Sequence, residues 1–485
     1  MVASTILFEG LAIGGKRVAS ADGKTANTYN PAHGEPIASV AQATAADVDS
    51  AVRTAYARFS EGAWKNMRTR ERGQILQRIA NKIREKAEML AQIESKNGGK
   101  PIAAARGEIG IVANCFEYYA GAVNKVHGQT IPVNANGTHM TFREPLGVCA
   151  LIVPWNFPLV ITGWKVAPAL AMGNTVVIKP ASATPLSALA LADLVLEAGL
   201  PEGVVNVVTG SGSVAGNALV THPLVRKISF TGSTSVGAGV MKLAADSIKR
   251  VSLELGGKSA NIVFADANLD VCIESSLWAV YDNAGQDCCS RSRILVERPI
   301  FDEFVERFTK RTKTLKVGNP ADENTEMGPL ITPQHRDTVL NYIHIGDGEG
   351  ARRLCGGELP NGDLAKGSYL TPAVYVDVNA NMRIMKEEIF GPVVGIMPFD
   401  SEVEAIRFAN DTEYGLSGSL WTRDIGRALR VARAVETGML SVNSSSSVHI
   451  EAPFGGMKQS GIGREQGMVA LDHYSEYKSV FIAND

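Results

Sequence analysis

No stretch of the 485-residue chain is apolar for long enough to cross a bilayer, which takes about 20 consecutive apolar residues as a helix. Lys and Arg form no block, and the formal net charge is −2. The clustered positive charge of a nucleic-acid footprint is therefore missing. Cysteine is sparse: Cys115, Cys149, Cys272, Cys288, Cys289 and Cys355 are scattered, with only one adjacent pair. That spacing is neither a disulfide framework nor a set of paired CxxC zinc ligands. From Met1 to Val18, Glu9 and several glycines stand where a secretory leader would need an unbroken apolar segment. These absences argue for a cytoplasmic protein with no membrane or nucleic-acid partner and no metal centre.

What is present is glycine, 48 residues of it, within a composition that is 45% hydrophobic and 20% charged. The length suits about two or three domains with a large core. Residues 47–60 and 68–97 have apolar positions at helical spacing among Arg, Glu and Lys and are expected as amphipathic helices. Short apolar runs at 148–153, 175–178 and 204–208 read as buried strands, and 228–230 as a further strand. Segments 165–172 and 187–197 between them read as helix. This alternation implies βαβ units and a largely parallel sheet, so the fold class is α/β. A second alternation runs from Ser259 past Phe454. Gly128 to Arg143 and Tyr474 to Ile482 show polar alternation instead, as in an edge hairpin or an intersubunit sheet.

Several residues could carry chemistry. In Asn283-Ala284-Gly285-Gln286-Asp287-Cys288-Cys289 a cysteine follows a glycine turn. If a helix began there, its dipole would favour the reactive thiolate; otherwise the pair is structural. Glu254 lies between Leu253 and Leu255, where desolvation would raise its pKa toward that of a general base, unless that face of the strand meets solvent. Asn156, in Pro154-Trp155-Asn156-Phe157-Pro158, could donate to a developing oxyanion or form an Asx turn. Two glycine turns, 210–216 and 232–237, both follow strands and compete for a phosphate. The first superficially matches a dinucleotide fingerprint but lacks an acidic residue about twenty positions on.

Taken together, seven ordered segments resemble the aldehyde dehydrogenase superfamily over nearly the whole chain. They are PWNFP at 154–158, IKPAS at 178–182, FTGSTSVG at 230–237, LELGGK at 253–258, GQDC at 285–288, EEIFGP at 387–392 and PFGGMKQSGIGRE at 453–465. The resemblance implies oxidation of an aldehyde to its acid with NAD or NADP, through a thiohemiacetal and thioester on Cys288. Asn156 and the Cys288 backbone N–H would hold the oxyanion, Glu254 would be the general base, and Glu465 would relay protons. Cofactor contacts would come from Val153, Trp155, Lys179, Ser182, Gly210, Phe230, Gly232, Ser233, Thr234, Val236, Gly237, Leu255, Glu388 and Phe390. The aldehyde would meet Phe157, Ile161, Trp164, Asp287, Cys289, Val448 and Phe454.

The implied fold has two Rossmann-like α/β domains and a small β oligomerisation domain. An NAD(P)-binding domain would span 1–125 and 144–255, a catalytic domain 256–459, and bridging segments 126–143 and 460–485, in a homodimer or homotetramer. Ser182 stands where NAD-restricted relatives often carry glutamate, so NADP is permitted. Trp164 replaces the arginine of succinate-semialdehyde members, and the serine-rich loop 444–449 lacks the aromatics of a quaternary-ammonium site. Asp287 either faces the tunnel as a partner for an ammonium or turns away to cap local backbone. A CoA-acylating enzyme and a catalytically silent structural protein are the alternatives. Glu254 disfavours the first, and the triad of Cys288, Glu254 and Asn156 disfavours the second.

Overall fold

The computed structural model describes residues 7–484. Met1 to Ile6, the first part of the expected leader-free N-terminus, and Asp485 lie outside the described residues. No helix among the described residues is long and apolar enough to cross a membrane.

The apolar runs 148–152 and 175–179 have every side chain buried, as parallel strands covered on both faces require. They pair with each other in parallel. Strand 225–231 extends the sheet beyond 148–152, and 250–254 extends it further, while 205–207 lies on the opposite side; all of these pairings are parallel. Antiparallel strands at 461–462 on one edge and 11–13 and 16–18 on the other complete eight strands. Register puts Ile152 opposite Lys179, Phe230 opposite Ile152, and Thr231 opposite Glu254. The carboxyl ends of four neighbouring strands therefore share one edge, the usual ligand crevice of an open α/β sheet.

A second sheet has seven strands, among them 260–263, which pairs in parallel with 293–297 and 418–421. Ala260 lies opposite both Arg293 and Gly418, so the amino ends of these strands are level. The chain leaves the first sheet at Glu254 and enters the second at Ala260. The five intervening residues join the carboxyl edge of one sheet to the amino edge of the other. Cys288, five residues ahead of the start of strand 293–297, falls at this junction.

The two candidate edge segments pair with each other: Ser475–Ala483 runs antiparallel to Gly137–Pro145, and Thr130–Ile131 adds a third strand. Three details differ from the sequence reading. The expected helix 68–97 is two helices, Thr69–Glu85 and Ala87–Gly98, broken at Lys86. The helix expected from Lys165 begins at Pro158; proline suits the first helical turn, and because all fourteen residues are buried no polar face marked its start. Gly461–Ile462, assigned to a bridging segment, instead edges the first sheet against Leu253 and Glu254.

Candidate active site

The turn that carries Cys288 is built from the backbone upward. Asn283, Ala284 and Gly285 all have positive φ (50°, 58° and 71°), and a Cβ on Gly285 would strike the Gly391 carbonyl. The Asp287 carboxylate accepts the Cys289 N–H at 2.9 Å, and Ser290 N–H donates to Asp287 O at 3.0 Å. This closes a tight turn that presents Cys288. No helix follows; the chain continues into strand 293–297. The expected helix dipole is therefore absent, and the Cys288 thiol is raised well above its ordinary pKa by the Cys289 thiol beside it and by burial. Ligand atoms of Asp287, Cys288 and Cys289 all lie within 4.8 Å of one another.

Asn156 reaches this turn from the first sheet. Its Nδ2 donates to Gln286 O at 3.0 Å, while Asn283 Nδ2 donates to Asn156 O at 2.9 Å. An amide carries two N–H groups, so one remains for an oxygen developing at the thiol. Gln286 is itself locked: its Nε2 donates to Asn283 O and its Oε1 accepts the Ile331 N–H, both at 2.8 Å.

Glu254, 4% exposed, has no hydrogen-bond partner on either carboxylate oxygen. Burial, then the nearby Glu465 carboxylate, raises its pKa well above the ordinary value, against the pull of Lys165 and Arg464. Room for it exists because position 455 is glycine: a Cβ there would meet Glu254 Oε1 at 2.8 Å. Glu465 is equally buried but paired, with Lys165 Nζ at 2.7 Å and Ser229 Oγ at 3.0 Å. Lys165 also donates to Ser229 Oγ at 2.8 Å. Lys165 escaped the sequence reading because it lies in an apolar helix, past the end of the PWNFP motif from which that helix starts.

A cavity of about 230 Å³ opens on Cys288. Its walls include Trp155, Asn156, Phe157, Ile161, Gly232, Ser233, Leu255, Glu388 and Phe390, with Pro154, Thr231 and Gly256 not foreseen from sequence. Trp155 and Phe390 meet edge-to-face with centroids 5.3 Å apart, and Phe390 has φ 57°. Glu388 accepts the Gly257 N–H at 2.9 Å, and burial brings its carboxyl up to about 7. Gly256 and Gly257 are required here, since Cβ atoms would strike the Glu388 carboxylate and the Cys288 carbonyl.

Trp164 and Phe454 meet at a tilt of 59° with centroids 4.9 Å apart, outside the cavity lining. Val448 packs into the same apolar cluster as Phe157 and Cys288. Asp287 and Cys289 also lie outside the lining, and Asp287 spends one oxygen on the turn itself.

Continuous with the cavity through Trp155, Gly232 and Ser233 is an open groove of about 600 Å³. Val153, Lys179, Ser182, Phe230 and Val236 line it, together with Gly212, Ser213, Gly216 and Asn217. Gly210, Thr234 and Gly237 do not line it; the Gly210 carbonyl instead accepts Ser182 Oγ at 3.0 Å. Both glycine turns thus face one groove, so the choice between them posed by the sequence was a false one. Helix Thr234–Ala245 starts at the groove with Ser233 as an N-cap that makes no side-chain cap bond, leaving its first N–H groups for a pyrophosphate. The Lys179 ammonium, lowered to about 8 by burial, bonds the Pro180 carbonyl at 2.9 Å, and its remaining donors suit ribose hydroxyls. The donor set fits a dinucleotide with its reactive ring at Cys288.

Residues 18–480 match the aldehyde dehydrogenase family. An aldehyde dehydrogenase of Aspergillus niger is 45% identical over 97% of this chain and 94% of its own length. Human retinal dehydrogenase 2 is 46% identical over 96% and 89%. Among solved structures, the NAD+ complex of an aldehyde dehydrogenase from Bacillus cereus superimposes with a TM-score of 0.96 at 44% identity, covering 98% of this chain and 97% of that one. The NAD+ complex of betaine aldehyde dehydrogenase from Staphylococcus aureus gives 0.96 at 38% identity, with 98% and 94% covered.

Proposed function

From the premise that this chain belongs to the aldehyde dehydrogenase family and oxidises aldehydes to carboxylic acids with NAD(P)+, we propose that Cys288 is the nucleophile, Asn156 the oxyanion donor and Glu254 the base for hydrolysis. As Cys288 Sγ attacks the aldehyde carbon, its thiol proton passes to Glu254 and on to solvent, and the carbonyl oxygen takes up the charge against Asn156 Nδ2 and the Cys288 N–H. A bound nicotinamide would supply the acceptor for the hydride lost from that carbon. This leaves an acyl thioester on Cys288. Glu254 then takes a proton from water, the hydroxide adds to the thioester carbon, and collapse releases the acid and the thiol. Glu388 and Phe390 position the nicotinamide ribose end, while Lys179, Ser182 and Ser233 hold the ribose and phosphates of the adenosine half.

The observation that carries this reading is Glu254: a buried carboxylate with both oxygens unpartnered is costly to keep, and no protein group competes for its lone pairs. Because only the ionised form takes a proton, hydrolysis should quicken as pH rises through its elevated pKa. A CoA-acylating enzyme has no use for such a base. Stopped assays with and without CoA test this: free acid without CoA acceleration is expected, and a CoA thioester product would overturn it.

The cavity wall of Trp155, Phe157, Ile161 and Leu255 is apolar and contains no cation. It favours an uncharged aliphatic or aromatic aldehyde over an anionic one. The open groove, with Ser182 exposed in it, admits NADP as well as NAD. We also assign 1–125 with 144–255 to cofactor binding, 256–459 to catalysis, and 126–143 with 460–485 mainly to bridging. Exposed Phe142, Tyr477, Phe481 and Ile482 on the strand pair 137–145/475–483 support a homodimer or homotetramer. With its free cysteines, the protein suits the reducing cytoplasm.

A further inference from the structure

Arg291 belongs to no motif read from the sequence, yet it sits beneath the nucleophile and is only 2% exposed. Nη1 donates to the Cys289 carbonyl, inside the nucleophile turn. Nε donates to Ser419 Oγ at 3.1 Å and Nη2 to Gly418 O at 3.3 Å, both on strand 418–421 of the second sheet. Nη2 also reaches Ser445 O at 3.1 Å and Ser447 Oγ at 2.9 Å, in the irregular loop 444–449 that carries Val448 into the apolar cluster around Cys288. A single planar fork thus joins three segments, which a lysine cannot reproduce.

Every one of these bonds goes to a neutral oxygen. A buried cation with no bonded counter-charge is expensive, and a neutral donor could have made several of the same bonds. The groups whose charge favours the cationic form of Arg291 are the thiols of Cys289 and Cys288 and the Asp287 carboxylate. Cys288 faces, besides these, the Glu388 carboxylate, which opposes its ionisation together with Asp287 and Cys289. Arg291 is the cation on which Asp287, Cys288 and Cys289 all act.

We propose that Arg291 is a positioning residue for the reaction: it ties the 444–449 loop to the nucleophile turn and holds a fixed positive charge beneath that turn, where the Cys288 thiolate forms. The proposal rests on Cys288 being the nucleophile. It separates two roles, fork and charge, that different variants remove.

The test uses Arg291→Met, Arg291→Lys and Ser447→Ala in the full chain. For each, KM is measured for short and long uncharged aldehydes, and the rate of Cys288 alkylation by iodoacetamide is followed against pH, with the modified peptide identified by mass. Arg291→Met should move the alkylation profile up by about one pH unit and raise KM for the long aldehyde about tenfold. Arg291→Lys should restore the profile but not KM. Ser447→Ala should raise KM by about threefold, as for one lost hydrogen bond, and leave the profile in place. An unmoved profile in Arg291→Met, or unchanged KM in both Arg291→Lys and Ser447→Ala, overturns the proposal. If Arg291→Met does not fold, the other two variants decide on KM alone. Turnover surviving in Cys288→Ala would show instead that the nucleophile is misassigned.

Discussion

The cofactor groove and the catalytic cavity share five wall residues, Pro154, Trp155, Thr231, Gly232 and Ser233, but are made in different ways. The groove is mostly local: strand, tight turn and helix N-terminus, with strand ends levelled by parallel register, each legible within a few residues. The cavity draws on five separated segments, around 155, 232, 256, 288 and 390, and is backed by charges that local sequence does not explain. The groove can therefore tolerate exchange of a contact, whereas the cavity depends on single groups that nothing else replaces.

The sharpest test of that asymmetry is at the nucleophile. Cys288→Ala should lower turnover by about 10⁴-fold or more, as for other covalent catalysts, measured by NAD(P)H absorbance, while Cys289→Ala should keep far more activity. Equal losses would mean that the thiols act as a unit.

Glu254→Gln comes next, with a loss of about 10²–10⁴ in steady-state rate and an acyl-enzyme that accumulates and is trapped by rapid quenching. The same variant should be more stable than the parent at alkaline pH. Glu254 has a folded pKa raised above its unfolded value, so the folded state binds the extra proton between the two. Stability from this group therefore falls as pH rises above the unfolded carboxylate range, and Gln removes that fall. Denaturant unfolding of both proteins at several pH values checks it; parallel curves would place Glu254 in contact with solvent.

The groove should respond more mildly. Ser182→Glu should weaken NADP by about tenfold or more through repulsion of the 2′-phosphate, and NAD by much less. Similar losses for both cofactors, read as KM ratios, would move the adenosine ribose away from Ser182.

The smallest effect is expected at Asp287→Asn. The amide keeps an oxygen for the Cys289 N–H, and the side chain lies outside the cavity lining. The kcat/KM ratio between a 4-aminoaldehyde and a neutral aldehyde of equal length should therefore change by less than about threefold, well short of the several kcal/mol that a facing charge pair could supply at an effective dielectric near 20. A tenfold change would place Asp287 in the aldehyde path.

Much of this protein was legible because burial on both faces of a parallel sheet forces continuous apolar runs, as at 148–152 and 175–179, and because glycines mark the turns between strand and helix. The motif residues Cys288, Asn156 and Glu388 could be read in the same way, and the structure brings them to one cavity. The start of helix 158–171 could not be read, since a helix buried all round has no polar face to mark it. Nor could the state of Cys288: a thiol after a glycine turn suggests a helix dipole, but the positive-φ turn 283–285 leads to a strand, and burial beside Cys289 raises its pKa.

By itself the sequence determined the alternation of elements, the glycine turns and the candidates for the reactive side chains, all properties of short segments. Tertiary structure alone decided which charges are paired. It joins Lys165 to Glu465 across 300 positions, leaves Glu254 without a partner, and sets Arg291 beneath Cys288 through contacts reaching to Ser447. A charge acquires its energy from whatever is packed against it, and in this fold those neighbours come from parts of the chain that no local pattern connects.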